Sequence, residues 1–232
     1  MGNQSEAFVR IWGAIVAAVG QPRTKGLVRA RNVLRGGVQR YGPEGLKKRL
    51  WDYEYSRGRW DGLDSMPYDC VHAHVERHAN GGSILDLGCG PGATGAELAS
   101  GSYSSYVGVD ISAVAIAKAM KRAEDTGRAA TNQYFCGDIF TYVPDGRYDV
   151  MLFGDSLYYV PWGQILTMLN RYSSYLRENG VFVARVYGRR YQPIIDTIQS
   201  HFQVVEKQSY VLPGDEIFVL AFRPRCLENE PS

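Results

Sequence analysis

Four aspartates stand at or just beyond the ends of apolar runs, and carboxylates gathered at one sheet edge can hold cations, bind diols and take up protons. Asp86 lies inside Ser83-Ile84-Leu85-Asp86-Leu87, and Asp110 closes Tyr106-Val107-Gly108-Val109-Asp110. Asp138 follows Tyr134-Phe135-Cys136-Gly137, and Asp155 follows Tyr148-Asp149-Val150-Met151-Leu152-Phe153-Gly154. Directly after the first run comes Gly88-Cys89-Gly90-Pro91-Gly92. Glycines permit positive φ and close approach of backbone to a ligand, and a helix that follows offers free N–H groups. The pattern therefore reads as a buried parallel strand, a tight turn and a helix N-terminus, the layout of a nucleotide-type cofactor loop. Taken alone, the glycines read equally well as an ordinary strand turn. The third glycine is residue 92 rather than 93, which departs from the dinucleotide fingerprint. Asp86 departs from it further, because a buried carboxylate would repel pyrophosphate and attract a ligand with positive charge.

With these residues in place, the sequence resembles the class I S-adenosylmethionine-dependent methyltransferases, whose first motif has the same Asp-x-Gly-x-Gly-x-Gly form. The resemblance runs over about residues 80–222. It implies an α/β fold with a doubly wound, seven-stranded, mostly parallel sheet whose last strand is antiparallel, and S-adenosylmethionine as cofactor with S-adenosylhomocysteine as product. Asp110, 22 residues beyond Gly88, suits a ribose diol, with Ile111 and Ser112 beside it. The resemblance implies that Asp138 reads the adenine amino group, flanked by Gly137 and Ile139. Asp86, Gly88, Cys89, Gly90 and Gly92 form the loop side of the cofactor site. The end of the fourth run faces the reacting methyl group in such enzymes.

The elements that must position these residues alternate along the chain. Ser112 can cap a helix that runs to about residue 127, and Ile165, Leu166, Leu169, Tyr172 and Leu176 give helical spacing over 162–178. A fifth strand is expected over 181–187, a helix from Pro193 to about 202, and two closing strands over 204–210 and 216–222. Alternating strands and helices build a doubly wound sheet. A helix over 67–78 stops at Asn80-Gly81-Gly82 and should bring Tyr68, Asp69 and His72 nearer the site than His78. His74 and His78 stand four apart, but no third ligand is nearby in sequence, and no metal is expected.

The 232 residues carry a net charge of +2, and no Cys-x-x-Cys pair occurs among the four cysteines, which suits reduced thiols and a cytoplasmic protein. Residues 7–20 show an apolar helical face whose uninterrupted part is too short to span a bilayer. Residues 21–50 hold nine Lys and Arg against one acid, a net +8 that leaves −6 for the rest. This segment reads as an arm packed on its own domain or on a second subunit, as a contact between residues 1–50 and an anionic membrane, or as a holder of an anionic substrate. No stacking aromatics accompany the charges, so nucleic acid is not the expected partner. Residues 43–55 form a helix beginning at Pro43. Residues 1–62 are read as a basic helical extension and cofactor lid, and residues 63–232 as the core domain. By the resemblance, Tyr53, Tyr55, Arg57 and Trp60 contact the methionine end of the cofactor, with Arg57 on its carboxylate; an aromatic staple holding the extension to the core is the competing reading.

Methyl transfer from a sulfonium is an in-line displacement, so alignment can supply much of the acceleration. A hydroxyl acceptor also needs a base, for which Asp155 is the first candidate, with Tyr158 and Tyr187 behind it. Arg189-Arg190 could hold an anionic acceptor. The segment Gly154-Asp155-Ser156-Leu157-Tyr158-Tyr159 lacks the Asn/Asp-Pro-Pro-Tyr/Phe form of similar enzymes that methylate nucleic-acid amines. The expected acceptor is therefore a hydroxyl of a small molecule or glycan. Nitrogen acceptors, a lipid-linked substrate at a membrane surface, and a cofactor-binding protein without turnover remain as alternatives.

Overall fold

The computed structural model describes residues 25–61, 70–212 and 215–225. The expected helix over 7–20, Tyr68, Asp69 and the tail 226–232 lie outside them. Seven strands form one sheet: β1 (Ser83–Leu87), β2 (Ser105–Asp110), β3 (Asn132–Cys136), β4 (Tyr148–Gly154), β5 (Leu176–Tyr187), β6 (Phe202–Leu212) and β7 (Asp215–Pro224). Their spatial order is β3-β2-β1-β4-β5-β7-β6, with β7 antiparallel to both neighbours. The helices are α1 (Lys25–Tyr41), α2 (Glu44–Ser56), α3 (His72–Ala79), α4 (Ala93–Glu97), α5 (Ala113–Asp125), α6 (Ile165–Ser173) and α7 (Gln192–His201).

The strands read as continuous apolar runs because both faces of the sheet are covered. Leu85 and Leu87 of β1 and Met151 and Phe153 of β4 pack with α6 and α7 on one face. Ile84, Val150 and Leu152 point the other way, into a cluster with Val75 of α3 and Ile116 and Ala119 of α5. β1 pairs with β2 on one side and β4 on the other, so the chain changes direction of winding between β1 and β4. Open sheets of this kind bind ligands at that switch point, outside the carboxyl ends of the strands.

One expected element needs correction. The expected helix over 162–178 is a short 3₁₀ turn (Trp162–Gln164) and α6, which ends at Ser173. Leu176 belongs to β5 and pairs with Tyr148, so its helical spacing from Leu169 and Tyr172 is coincidental. The basic segment contains helix α1, with Gly36-Gly37 in its middle. Tertiary contacts override the low propensity there. Arg35 pairs with Glu54 at 3.5 Å, and Arg40 bonds the carbonyl of Tyr158 at 2.9 and 2.6 Å. Lys47 reaches Asp138, and Lys48 reaches the carbonyl of Ile111 at 3.3 Å. Three of the nine cations in residues 21–50 thus reach the chain's own core, and Arg35 pairs within the extension. No helix among the described residues is long and apolar enough to cross a membrane.

Candidate active site

The glycine loop takes the shape its composition allows. Gly88, Gly90 and Gly92 have φ of 92°, 53° and 77°, in the region that favours glycine. Space is short as well: a Cβ at Gly88 would lie 2.5 Å from that of Ser156, and one at Gly90 would lie 3.0 Å from the hydroxyl of Tyr55. The helix that follows is a single short turn, α4, and the loop amides are bonded within the protein: Gly88 and Cys89 N–H donate to the carbonyl of Val109 at 2.8 and 3.1 Å, and Gly92 N–H to that of Cys89 at 3.1 Å. Gly90 N–H donates to Asp110 at 3.0 Å, and Ser112 N–H donates to the other oxygen at 2.8 Å.

A cavity of about 480 Å³ opens over this loop. Its floor holds Asp86, Gly88, Cys89, Gly90, Asp110, Ile111, Asp138 and Ile139, and its roof holds Trp51, Tyr55 and Trp60. Burial pushes the Asp110 carboxyl up to about 6, although the two backbone N–H bonds pull the other way. The Cys89 thiol is pushed well up, first by burial and then by Asp86 and Asp110, and stays neutral and unreactive. Asp86 accepts a hydrogen bond from the Tyr106 hydroxyl.

Gly92, Ser112 and Gly137 act one layer below the cavity. Gly92 lets α5 approach, since a Cβ there would stand 2.8 Å from that of Ala119. Ser112 caps α5 by accepting from Ala115 N–H at 3.2 Å. Gly137 N–H donates to the carbonyl of Asp110 at 2.9 Å. Tyr55 and Trp60 line the roof, but Tyr53 and Arg57 sit on the outer face of the extension, the guanidinium 5.9 Å from the Tyr53 ring. Residues 53 and 57 lie four apart on one side of the helix, and 51 and 55 on the other.

At the far end of the cavity, Asp155 follows β4 with φ of 60°, an uncommon conformation for a residue with a side chain. Its oxygens accept from Tyr158 Oη at 2.8 Å and from Arg185 Nη2 at 2.6 Å. Tyr158 is held neutral, its phenol pushed up first by burial and then by the Asp155 charge, and it accepts a hydrogen bond from Tyr187 N–H. The Tyr187 ring is 37% exposed and is not part of the cavity wall. Arg190 lies over the Tyr191 ring at 5.5 Å, also outside the wall.

Sequence reasoning missed several wall residues: Gln39, Arg40, Lys47, Trp51, Ser156, Tyr159, Gln164 and Arg185. Lys47, Trp51 and Tyr55 are spaced by four, which was a usable signal of one helix face. Lys47 takes the Oδ2 of Asp138, while Phe140 N–H donates to Oδ1 at 2.9 Å. Each carboxylate oxygen still has capacity for a second donor. Ser156 Oγ is buried against the loop without a hydrogen-bond partner among the described residues.

A family model for methyltransferase domains matches residues 84–180, the span from β1 into β5. The matched span is a methyltransferase domain, and the chain is similar in fold to the class I S-adenosylmethionine-dependent methyltransferases. No curated protein sequence matches this methyltransferase. Among solved structures, it is similar to the N-methyltransferase NodS from Bradyrhizobium japonicum in complex with S-adenosylhomocysteine. That match has a TM-score of 0.63 and 20% identity and covers 76% of this chain and 97% of NodS. A methyltransferase from Geobacter sulfurreducens, also with S-adenosylhomocysteine, gives a TM-score of 0.55 at 18% identity over 66% and 88% of the two chains. Magnesium protoporphyrin IX methyltransferase from Synechocystis, with S-adenosylmethionine bound, gives 0.55 at 17% identity over 83% and 96%.

The methyltransferase uses S-adenosylmethionine, and the residues present fit it. The positive-φ glycines leave room that any Cβ would fill, Asp86 and Asp110 offer carboxylates to a ligand with cationic and hydroxyl groups, and the orphaned Ser156 hydroxyl needs a partner. Among the described residues no group of His, Cys, Asp and Glu is arranged to hold a metal ion.

Proposed function

We propose that this methyltransferase transfers the methyl group to a hydroxyl of a small molecule or glycan, with Asp155 orienting that hydroxyl and receiving its proton. The observation that carries the reading is the Asp155 carboxylate, fixed by Arg185 and Tyr158 in a left-handed backbone conformation where the cavity wall leaves β4. S-adenosylmethionine supplies an electrophilic methyl on a sulfonium. In this reading Gly88, Gly90 and Gly92 let the backbone approach the cofactor, Asp110 takes the ribose hydroxyls, and Asp86 and Ser156 serve the amino-acid end. Ile111 and Ile139 provide apolar walls beside Asp138. Trp51, Tyr55 and Trp60 close the roof and keep water from the reacting atoms.

Tyr158 is a positioning residue here, because its hydroxyl donates to Asp155 and is itself held by Tyr187 N–H. Tyr187 contributes that backbone group. The expectation that the Tyr158 phenol acts as a base has less support, since burial and the Asp155 charge hold it neutral, and the Tyr187 ring lies outside the cavity wall. Incubating the protein with methyl-labelled cofactor and a library of hydroxyl- and amine-bearing compounds tests the reading. Label recovered as a methyl ether or ester supports it. Label found only on nitrogen moves the acceptor class, and absence of transfer to any compound favours a binding protein without turnover.

A further inference from the structure

Among the described residues, two of the three cations of the cavity wall are in ion pairs and the third, Arg40, is not. Lys47 is paired with Asp138, and Arg185 with Asp155 at 2.6 Å. Asp86 and Asp110 accept hydrogen bonds from neutral donors, Tyr106 Oη and the amides of Gly90 and Ser112. Arg40, from the last turn of α1, has no carboxylate within ion-pair distance among the described residues. Its Nε and Nη2 both donate to the carbonyl of Tyr158, at 2.9 and 2.6 Å, and its guanidinium lies 5.2 Å from the centre of the Trp162 ring. These contacts fix the plane of the group but leave its charge unneutralised. A guanidinium carries five N–H donors, so three remain for a ligand.

Arg40 lines the cavity with Gln39 and Gln164, and it is held by Tyr158, the residue whose hydroxyl bonds Asp155. A preorganised guanidinium in a partly dry wall recognises planar or tetrahedral anions through paired N–H bonds. We infer that Arg40 is the acceptor-recognition residue of this methyltransferase, and that the acceptor carries a carboxylate or phosphate beside the group that receives the methyl. The inference rests on the acceptor end of the proposed function. It places the anion contact on α1 rather than on Arg189-Arg190.

The experiment is calorimetry on the full chain saturated with S-adenosylhomocysteine, with two matched probe pairs: salicylate against salicylamide, and glycerol 3-phosphate against glycerol. Expected is at least about tenfold tighter binding of the charged member in one pair, weakening as salt rises; which pair responds tells carboxylate from phosphate. Arg40→Gln should remove the preference, and Arg40→Lys should restore part of it, with S-adenosylhomocysteine affinity unchanged in both. An Arg40 that only anchors α1 to Tyr158 would lower the melting temperature and leave the charged-to-neutral ratio as in wild type. That result, or no charge preference in either pair, overturns the inference. Transfer of labelled methyl to nitrogen alone would overturn the hydroxyl reading and leave the Arg40 result standing, because the probes report binding without turnover.

Discussion

Lys47 of α2 and Asp138 beyond β3 form an ion pair across 91 residues of chain, with both side chains largely withdrawn from solvent. It ties the roof of the cavity to its floor beside the apolar wall of Ile139. Removing one partner leaves the other charge short of solvent and without compensation. Lys47→Met should destabilise the protein by about 1–3 kcal/mol, and the Lys47→Met/Asp138→Asn double variant by less than the sum of the single changes. Urea unfolding of the three variants measures the coupling, and additive effects would show that the pair contributes nothing.

Ser156 should respond with opposite signs in the free and ligand-bound protein. Its buried hydroxyl has no partner among the described residues, a situation that costs about 1–3 kcal/mol. Ser156→Ala should therefore leave the free protein as stable as wild type or more so. If the hydroxyl serves the cofactor, affinity for S-adenosylhomocysteine should fall by about 0.5–1.5 kcal/mol. Melting curves with and without the compound separate the two effects, and unchanged affinity would remove Ser156 from the cofactor site.

Asp110 gives a pH dependence with a definite sign. Its folded value of about 6 lies above the ordinary 3.8, so between those values the folded state holds a proton that the unfolded state has lost. The group's contribution to stability is full below 3.8 and is lost as pH climbs through 6. From pH 4.5 to 7 the wild type should lose about 2 kcal/mol relative to Asp110→Asn. Affinity for S-adenosylhomocysteine should move the other way, rising through pH 6 as the ribose-binding carboxylate forms. Denaturation and calorimetry at both pH values check the pair of trends, and a flat difference between wild type and variant contradicts them.

Asp155→Asn keeps size and polarity but removes the proton acceptor. Turnover on an identified hydroxyl acceptor should fall by about 10²–10⁴. Cofactor affinity should stay near wild type, because the glycine loop and Asp110 are untouched. A loss confined to cofactor binding would make Asp155 part of that site instead.

Strands β1, β2 and β4 and the glycine loop were legible because burial on both faces writes uninterrupted apolar runs, and because positive φ at residues 88, 90 and 92 demands glycine. The roof was harder to read. Tyr55 and Trp60, assigned by the family resemblance, line the cavity, whereas Arg57, assigned inward with them, lies half a helical turn from Tyr55 and outside the wall. The start of β5 was hidden by the chance spacing of Leu169, Tyr172 and Leu176. Arg40 could not be singled out, because nothing local distinguishes it from its eight basic neighbours in residues 21–50. Its isolation from carboxylates exists only in three dimensions.

Helix α5 begins on a cap that comes from elsewhere in the chain. Asp52 of α2 accepts from Ser112 Oγ at 2.7 Å and from Val114 N–H at 3.3 Å, and Lys118 of α5 returns a bond to the carbonyl of Tyr55 at 2.9 Å. These bonds cross the proposed division at residue 62. A fragment starting at residue 63 would inherit Asp155 and the glycine loop but leave α5 with part of its N-terminal hydrogen bonding unmet. The smallest transferable unit of this enzyme, for grafting or for minimal expression, has to begin before Pro43.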